Sequence, residues 1–113
     1  MDIEERTARI RALNDRFRTT WDRSLGKFLI TPGIDALRDK TKSAVFVRVI
    51  AFSAFDDDND PHREHDFGSF KIEGSRIFWK IDYYDPTLQF GSEDPADPAK
   101  TTRLLTIMLA QEY

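Results

Sequence analysis

Residues 66–84 constrain the fold most, because they contain two strand-like runs joined by Glu73-Gly74-Ser75, which has the composition of a tight turn. The apolar positions of the second run are Ile77, Trp79, Ile81 and Tyr83. Their period of two predicts a strand with one buried face, so Trp79 and Tyr83 are assigned to core packing rather than to a base-stacking platform. Lys80 and Asp82 share the opposite face, as an ion pair on one strand or as a catalytic pair.

Residues 1–25 have the pattern of an N-terminal amphipathic helix. Its apolar positions, separated by seven, three, four and four residues, are Ile3, Ile10, Leu13, Phe17 and Trp21. Its polar positions carry six arginines, which are Arg6, Arg9, Arg11, Arg16, Arg18 and Arg23. These arginines could contact phosphates, but the interleaved Asp15 and Asp22 favour a solvated helix face.

The rest of the chain supplies one more strand and two more helices. Residues 27–31 predict a strand that ends in a type II turn at Pro32-Gly33. Residues 39–55 fit a buried helix or a strand, and their length favours a helix with Asp39 as N-cap. Asp97 followed by Pro98 is a helix start signal, which predicts a C-terminal helix to about Gln111.

The order α-β-α-β-β-α predicts a single α+β domain over 1–113, with a small antiparallel sheet of three to four strands packed against about three helices. In this arrangement residues 1–25 form the amphipathic helix, and residues 26–113 form the sheet, an acidic loop and the C-terminal helix. Cysteine is absent, which excludes disulfides, thiolate metal sites and a cysteine nucleophile. No apolar run approaches membrane-spanning length, so the chain is expected to be cytoplasmic.

Charge is distributed unequally along the chain. Residues 1–55 hold eleven Lys/Arg and seven Asp/Glu, a formal charge of +4, whereas residues 56–113 hold six and thirteen, a charge of −7. The segment Asp56–Asp66, here called the acidic loop, alone carries six carboxylates and one arginine. This charge predicts no direct contact with nucleic acid, and it predicts a metal ion or a basic protein surface as the partner.

Two hypotheses for the acidic segments follow. In the first, carboxylates contact a basic protein partner through Asp56, Asp57, Asp58, Asp60, Glu64, Asp66, Glu93 and Asp94. In the second, a divalent metal is held by ligands drawn from His62, Glu64, His65, Asp66 and Asp82. A calcium loop at Asp56–Asp60 lacks the glycine and the glutamate of the EF-hand pattern. A third hypothesis requires no ligand: turn-forming Asp60-Pro61 and a hydrogen-bonded His65 would give a rigid structural loop.

Five strings between Asn59 and Ala110 are specific enough to carry a family resemblance, which extends from about Ala12 to Tyr113. They are Asn59-Asp60-Pro61, Glu64-His65-Asp66-Phe67-Gly68, Phe78-Trp79-Lys80-Ile81-Asp82-Tyr83-Tyr84, Gly91-Ser92-Glu93-Asp94-Pro95 and Leu105-Thr106-Ile107-Met108-Leu109-Ala110. With them the chain resembles a family of small bacterial proteins of unknown function, common on plasmids and other mobile elements. The resemblance implies an accessory protein of mobile DNA that interferes with host defence, and it brings no cofactor or catalytic residue.

The sequence therefore predicts a non-catalytic acidic interaction protein, monomeric or homodimeric, without a resident cofactor. Its expected partner is a host defence nuclease or another DNA-binding protein, inhibited by carboxylates that mimic DNA phosphates in the manner of anti-restriction or anti-CRISPR proteins. The alternative is a divalent-metal-dependent hydrolase or nuclease centred on Glu64, His65 and Asp66. Phosphate-binding glycine loops and the common hydrolase motifs are absent from the sequence, so enzyme classes that depend on them are excluded.

Overall fold

The computed structural model describes residues 1–113. Its elements are helix α1 (Ile3–Thr20), strand β1 (Gly26–Ile30), the single helical turn α2 (Pro32–Asp35), helix α3 (Asp39–Ala51), and strands β2 (Phe67–Ile72), β3 (Ser75–Tyr84) and β4 (Thr102–Leu109). The strand order is β1-β4-β3-β2, and β1 runs parallel to β4 while the other pairs are antiparallel. The predicted α+β class is confirmed, with a mixed four-stranded sheet in place of an antiparallel one.

The predicted hairpin is present as β2 and β3. Ile72 pairs with Ser75 across a two-residue turn, and both turn residues, Glu73 and Gly74, have positive φ. That combination gives the turn a twist that matches the strands it joins. The assignment of Trp79 to the core is confirmed, because its side chain is completely buried.

The predicted C-terminal helix is wrong, because residues 102–109 form the central strand β4. Asp97 does cap a helical segment, accepting a hydrogen bond from the Ala99 backbone N–H, but this segment is a 3₁₀ turn that ends at Lys100. β4 has strand neighbours on both sides, and its consecutive apolar residues fill both faces of the sheet. Such a run has no period of two and resembles a buried helix in sequence.

Two smaller predictions also need correction. The type II turn predicted at Pro32-Gly33 is instead the start of α2, with proline at the first helical position. The helix predicted from residue 39 is confirmed as α3, but Arg38 rather than Asp39 is its N-cap. The strand predicted at residues 27–31 is confirmed as β1.

The helices pack against one face of the sheet. Phe17 of α1 stacks on Phe28 of β1 at 4.5 Å, and Phe52, which follows α3, meets Trp79 of β3 edge-on at 5.6 Å. We call the other face the open face, although Thr106 and Met108 of β4 on it are buried. Strand alternation and register place on it Lys27, Leu29, Phe67, Ser69, Lys71, Arg76, Phe78, Lys80, Asp82, Tyr84, Thr102, Leu104, Thr106 and Met108. None of the helices combines the length and the apolar character needed to cross a membrane.

Candidate functional site

The acidic loop is folded around Asp60, whose side chain points inward and is buried. Asp60 Oδ1 accepts a hydrogen bond of 3.0 Å from the backbone N–H of His65, and Asp60 Oδ2 lies 3.7 Å from Nε2 of the same histidine. The Asp60 backbone N–H donates to the carbonyl of Asp56. Asp60 therefore joins the beginning and the end of the loop and has no oxygen available to a partner.

His65 connects the loop to α1 and to the core. Its ring stacks face to face on Phe55 with centroids 3.8 Å apart, and its Nδ1 lies 2.9 Å from Oδ1 of Asp15 on α1. His65 and Arg63 both have positive φ, a conformation uncommon for residues with side chains. The stacking contact with Phe55 and the contacts of the ring nitrogens hold this backbone in place and anchor the loop.

A buried polar cluster of Asn14, Glu64, Tyr83 and Arg103 joins α1, the acidic loop, β3 and β4. Asn14 Nδ2 donates to the Glu64 carbonyl at 2.9 Å and to the Tyr83 hydroxyl at 2.8 Å, while Asn14 Oδ1 accepts from Arg103 Nε at 2.7 Å. The Tyr83 hydroxyl in turn donates to Glu64 Oε1 at 2.7 Å. Asn14 and Arg103 are both fully buried, and Asn14 is the side-chain acceptor of Arg103, whose Nη2 also donates to the Pro95 carbonyl at 2.7 Å.

Burial governs the protonation of this cluster. Burial raises the pKa of Tyr83 far above its usual range, and the hydrogen bond to Glu64 raises it further, so the phenol remains a neutral donor. Burial lowers the pKa of Arg103, whose guanidinium nonetheless stays charged and lies 5.4 Å from the centre of the Tyr83 ring. Because a buried charge is costly without hydrogen-bond partners, the Arg103 cation stabilises the fold only while these bonds are kept. We therefore assign the cluster a structural role.

The arginines of α1 are largely engaged within the protein. Their partners are Asp94 for Arg6, the Ala96 carbonyl for Arg9, the Arg63 carbonyl for Arg11, Asp22 for Arg16, and the Val49 carbonyl for Arg18. Arg18 is itself buried and lies over the ring of Trp79 at 4.9 Å. The helix therefore uses most of these cations to hold the acidic loop, residues 94–96 and α3.

The predicted partner-contacting carboxylates fall into three groups by exposure. Asp56, Asp57, Asp58 and Glu93 are exposed; Glu64, Asp66 and Asp94 are half-buried; Asp60 is buried. Asp56 Oδ1 accepts hydrogen bonds from the backbone N–H groups of Asp58 and Asn59, both at 2.9 Å, which fixes the exposed turn. Asp57 pairs with Arg63 at 2.8 Å. The surface part of the predicted site is thus the turn at residues 56–58, with Glu93 separate from it.

The predicted metal ligands are not brought together. His62 is exposed, and His65 directs its two ring nitrogens at Asp15 and Asp60. Asp82 lies on the open face and pairs with Lys80 at 2.9 Å. No group of three or more His, Asp or Glu side chains is arranged to hold a metal ion. The hydrolase alternative remains a prediction that would require these side chains to move.

Asp66 supplies a pH-dependent prediction. Burial, and next the neighbouring Glu64 carboxylate, raises the pKa of Asp66 above its ordinary value of 3.8. Because the folded state then binds protons more tightly than the unfolded state, Asp66 destabilises the fold increasingly as the pH rises above 3.8. This penalty is complete once the pH exceeds the folded pKa of Asp66. We expect Asp66→Asn to raise the melting temperature at neutral pH.

The gain should shrink as the pH falls to about 4, because Asp66 is then increasingly protonated. Thermal unfolding of both proteins across this pH range measures the difference, with Asp58→Asn as a control at an exposed position. A gain of equal size at every pH would contradict the assignment and point to a packing effect instead.

Sequence reasoning missed Asn14, Asp15, Tyr83 and Arg103 as the residues that anchor the loop. A signal was present for the first of them, because Asn14 lies between Ile10 and Phe17 on the apolar face of α1. A polar residue inside an apolar stripe needs a buried partner. The sequence does not reveal that this partner is Arg103, which lies 89 positions away.

Residues 30–112 match the model of a family described as a protein of unknown function, DUF3768. The chain belongs to the DUF3768 family. The match to DUF3768 confirms the resemblance to a family of unknown function, and it covers the acidic loop, β2, β3 and β4. α1 precedes the matched residues, although Asn14 and Asp15 anchor the loop. No curated protein and no solved structure matches the chain.

Proposed function

We propose that this DUF3768 protein is a non-catalytic interaction protein whose exposed carboxylates at Asp56, Asp57 and Asp58 contact a basic surface of a protein partner. The observation that carries the proposal is the way this turn is held. Asp60 and His65 fix the loop from inside, and Asp56 caps the turn. A preformed turn loses little conformational entropy on binding, so its charge interactions contribute more fully to affinity.

The charge around the turn supports a basic partner. The acidic loop carries six carboxylates against Arg63 alone, and the α1 arginines that reach it or the Asp94 segment are already bonded there. Little positive charge within the protein remains to neutralise Asp57 and Asp58 beyond the single Arg63 pair. A cationic protein surface would supply that charge and would be attracted over several ångströms at low salt.

The kind of partner follows from the chemistry and from the genetic context that the family resemblance implies. Carboxylates fixed on a rigid turn are attracted by the basic cleft in which a DNA-binding protein holds phosphates. A protein of plasmids or other mobile elements gains from blocking a host nuclease or defence complex. We therefore propose an anti-restriction or anti-CRISPR-like role, with duplex DNA as the natural competitor for the same cleft.

The test is capture of bacterial proteins on the immobilised protein, followed by elution with duplex DNA. We expect DNA to release bound DNA-binding proteins, and we expect about 0.5 M salt to abolish their capture, because screening removes exposed charge interactions. Asp57→Asn/Asp58→Asn should lose these partners. Asp56 is left unchanged because its side chain caps the turn.

The matched control is Asp35→Asn/Asp39→Asn, which removes the same charge from exposed positions at the end of α2 and the start of α3. This site lies about 20 Å from the acidic loop along the helix axis. The control should capture the same partners as the wild type. Partners that the loop variant still binds, or that DNA does not displace, would show that the exposed turn is not the contact.

A further inference from the structure

The open face of the sheet is positively charged, although the protein as a whole is acidic. Among its residues are four cations, Lys27, Lys71, Arg76 and Lys80, and one carboxylate, Asp82. The formal charge of this face is +3, against −3 for the whole chain. The negative charge of residues 56–113 predicts repulsion of nucleic acid, but the open face has the opposite sign of charge.

Aromatic rings lie among these cations. Phe67 and Phe78 meet edge-on with centroids 5.2 Å apart, and Tyr113 packs edge-on against Phe78 at 5.7 Å. Tyr84 lies further along β3 on the same face. Phe67, Phe78 and Tyr84 are all partly exposed, and Tyr113 is 78% exposed. Partly exposed rings on rigid strands are the feature on which unpaired bases stack.

The strand register orders these groups into a track. Lys71 pairs with Arg76 at one end of the hairpin, and two residues further along β3 Phe78 stands beside Ser69. Lys27 lies across the sheet beside Leu104, in the row that contains Asp82. β3 rises about 20 Å from the row of Lys71 and Arg76 to the row of Lys27. The cations of these two rows flank Phe67 and Phe78, and Tyr84 lies one row beyond Lys27.

We propose that the open face binds single-stranded nucleic acid, with Phe78 and its aromatic neighbours stacking on bases and with Lys27, Lys71 and Arg76 contacting phosphates. A four-stranded sheet with helices on one side and base-stacking aromatics on the other is an arrangement that suits single strands. Stacking tolerates any base, so the expected binding is weakly dependent on sequence.

Charge favours this occupant over a second copy of the chain docked face to face. Two open faces would bring +3 against +3, and only the central Lys80–Asp82 pair is self-complementary. A nucleic-acid strand instead supplies one negative charge per nucleotide together with flat rings. The surface is also separate from the acidic loop, which lies on the helix side of the sheet, so the two proposals can fail independently.

The experiment is fluorescence anisotropy with labelled oligothymidylate and oligouridylate of about 20 nucleotides, and with a duplex of the same length, over about 50–200 mM salt. We expect both single strands to bind, and to bind more tightly at low salt. The duplex should bind more weakly by a factor of about ten or more, because its bases are not free to stack. The relative affinities of the DNA and RNA strands identify the preferred sugar.

Lys27→Gln/Lys71→Gln removes two exposed cations from the open face. If each contacts one phosphate, the slope of log K against log salt should fall by about 1.4, and affinity at 0.1 M salt should fall roughly 25-fold. Lys40→Gln/Lys42→Gln is the matched control, because both lysines lie on α3, on the other side of the sheet. The control should bind within about twofold of the wild type at this salt.

Phe78→Leu tests stacking, since it keeps an apolar side chain and removes the ring; single-strand affinity should fall about fivefold or more. Unchanged melting temperatures exclude unfolding as the cause for each variant, and Lys27→Gln/Lys71→Gln serves if Phe78→Leu is unstable. Absence of single-strand binding, equal duplex binding, or equal losses in the two lysine variants would overturn the proposal. Self-association in sedimentation that Lys27→Gln/Lys71→Gln abolishes would overturn it too, because the face would then be occupied by a second copy.

Discussion

Asn14→Leu is expected to lower the free energy of unfolding by about 3 kcal/mol, because a buried cation loses a hydrogen-bond acceptor. Asn14 is the acceptor for Arg103 Nε at 2.7 Å, and both residues are fully buried. Leucine has nearly the same shape but no hydrogen-bonding group, so the Arg103 cation would lose its side-chain acceptor without gaining water. The same change removes the donor to the Glu64 carbonyl and to the Tyr83 hydroxyl, which loosens the acidic loop.

Urea denaturation followed by tryptophan fluorescence measures this loss, because Trp79 is buried in the adjoining core. Arg103→Met in the same chain provides the control. The double variant removes both polar partners, so it should be destabilised by less than the sum of the two single variants. Single losses that simply add, or an Asn14→Leu loss below about 1 kcal/mol, would mean that the buried pair is not coupled.

Gly26→Ala is expected to cost about 3 kcal/mol, at the upper end for an added methyl group. Gly26 is paired with Arg103 in the parallel β1–β4 ladder, and a Cβ there would overlap the Arg103 carbonyl group, with the carbonyl carbon only 2.7 Å away. The obstacle is backbone in a central strand, so no side-chain rotation removes it. β1 would have to move away from β4 and disturb the hydrogen bond from Arg103 N–H to the Leu25 carbonyl.

Gly91→Ala is the matched comparison. Its added methyl group would come no closer than 3.9 Å to its nearest neighbour, so the stability of this variant should stay within about 1 kcal/mol of the wild type. The less flexible unfolded chain contributes a small gain in stability within that range. The same urea titration compares the two glycine variants. Equal stabilities would show that β1 shifts without penalty and that its contact with β4 is loose.

Local patterns were sufficient to predict α1, β1, α3 and the β2–β3 hairpin. Each has either a clear hydrophobic period or a turn with a defined backbone requirement, such as Glu73-Gly74. β4 was not predictable in this way, because burial on both faces removes alternation from its sequence. The parallel pairing of β1 with β4 was missed with it, since that pairing exists only if residues 102–109 are a strand.

The acidic loop shows the same division between local and distant information. Its turn chemistry at Asp56 and Asp60 was readable from composition, and the structure adds which carboxylates face inward. The inward orientation of Asp60 depends on His65, whose ring is held by Asp15 of α1, 50 positions earlier. Composition alone treats six carboxylates as equivalent, whereas the fold assigns some to scaffolding and leaves others at the surface.

The parallel pairing of the first and last strands has a consequence for how the protein is made. Ribosomal synthesis releases β1 long before β4, so β1 has no sheet neighbour while residues 31–101 are being added. Asn14 likewise cannot form its hydrogen bond to Arg103 until Arg103 has been synthesised, and the acidic loop lacks its complete anchor until then. Late closure of such distant contacts slows folding and leaves strand edges unprotected in the nascent chain. The acidic loop therefore acquires its final shape only after β4 has left the ribosome.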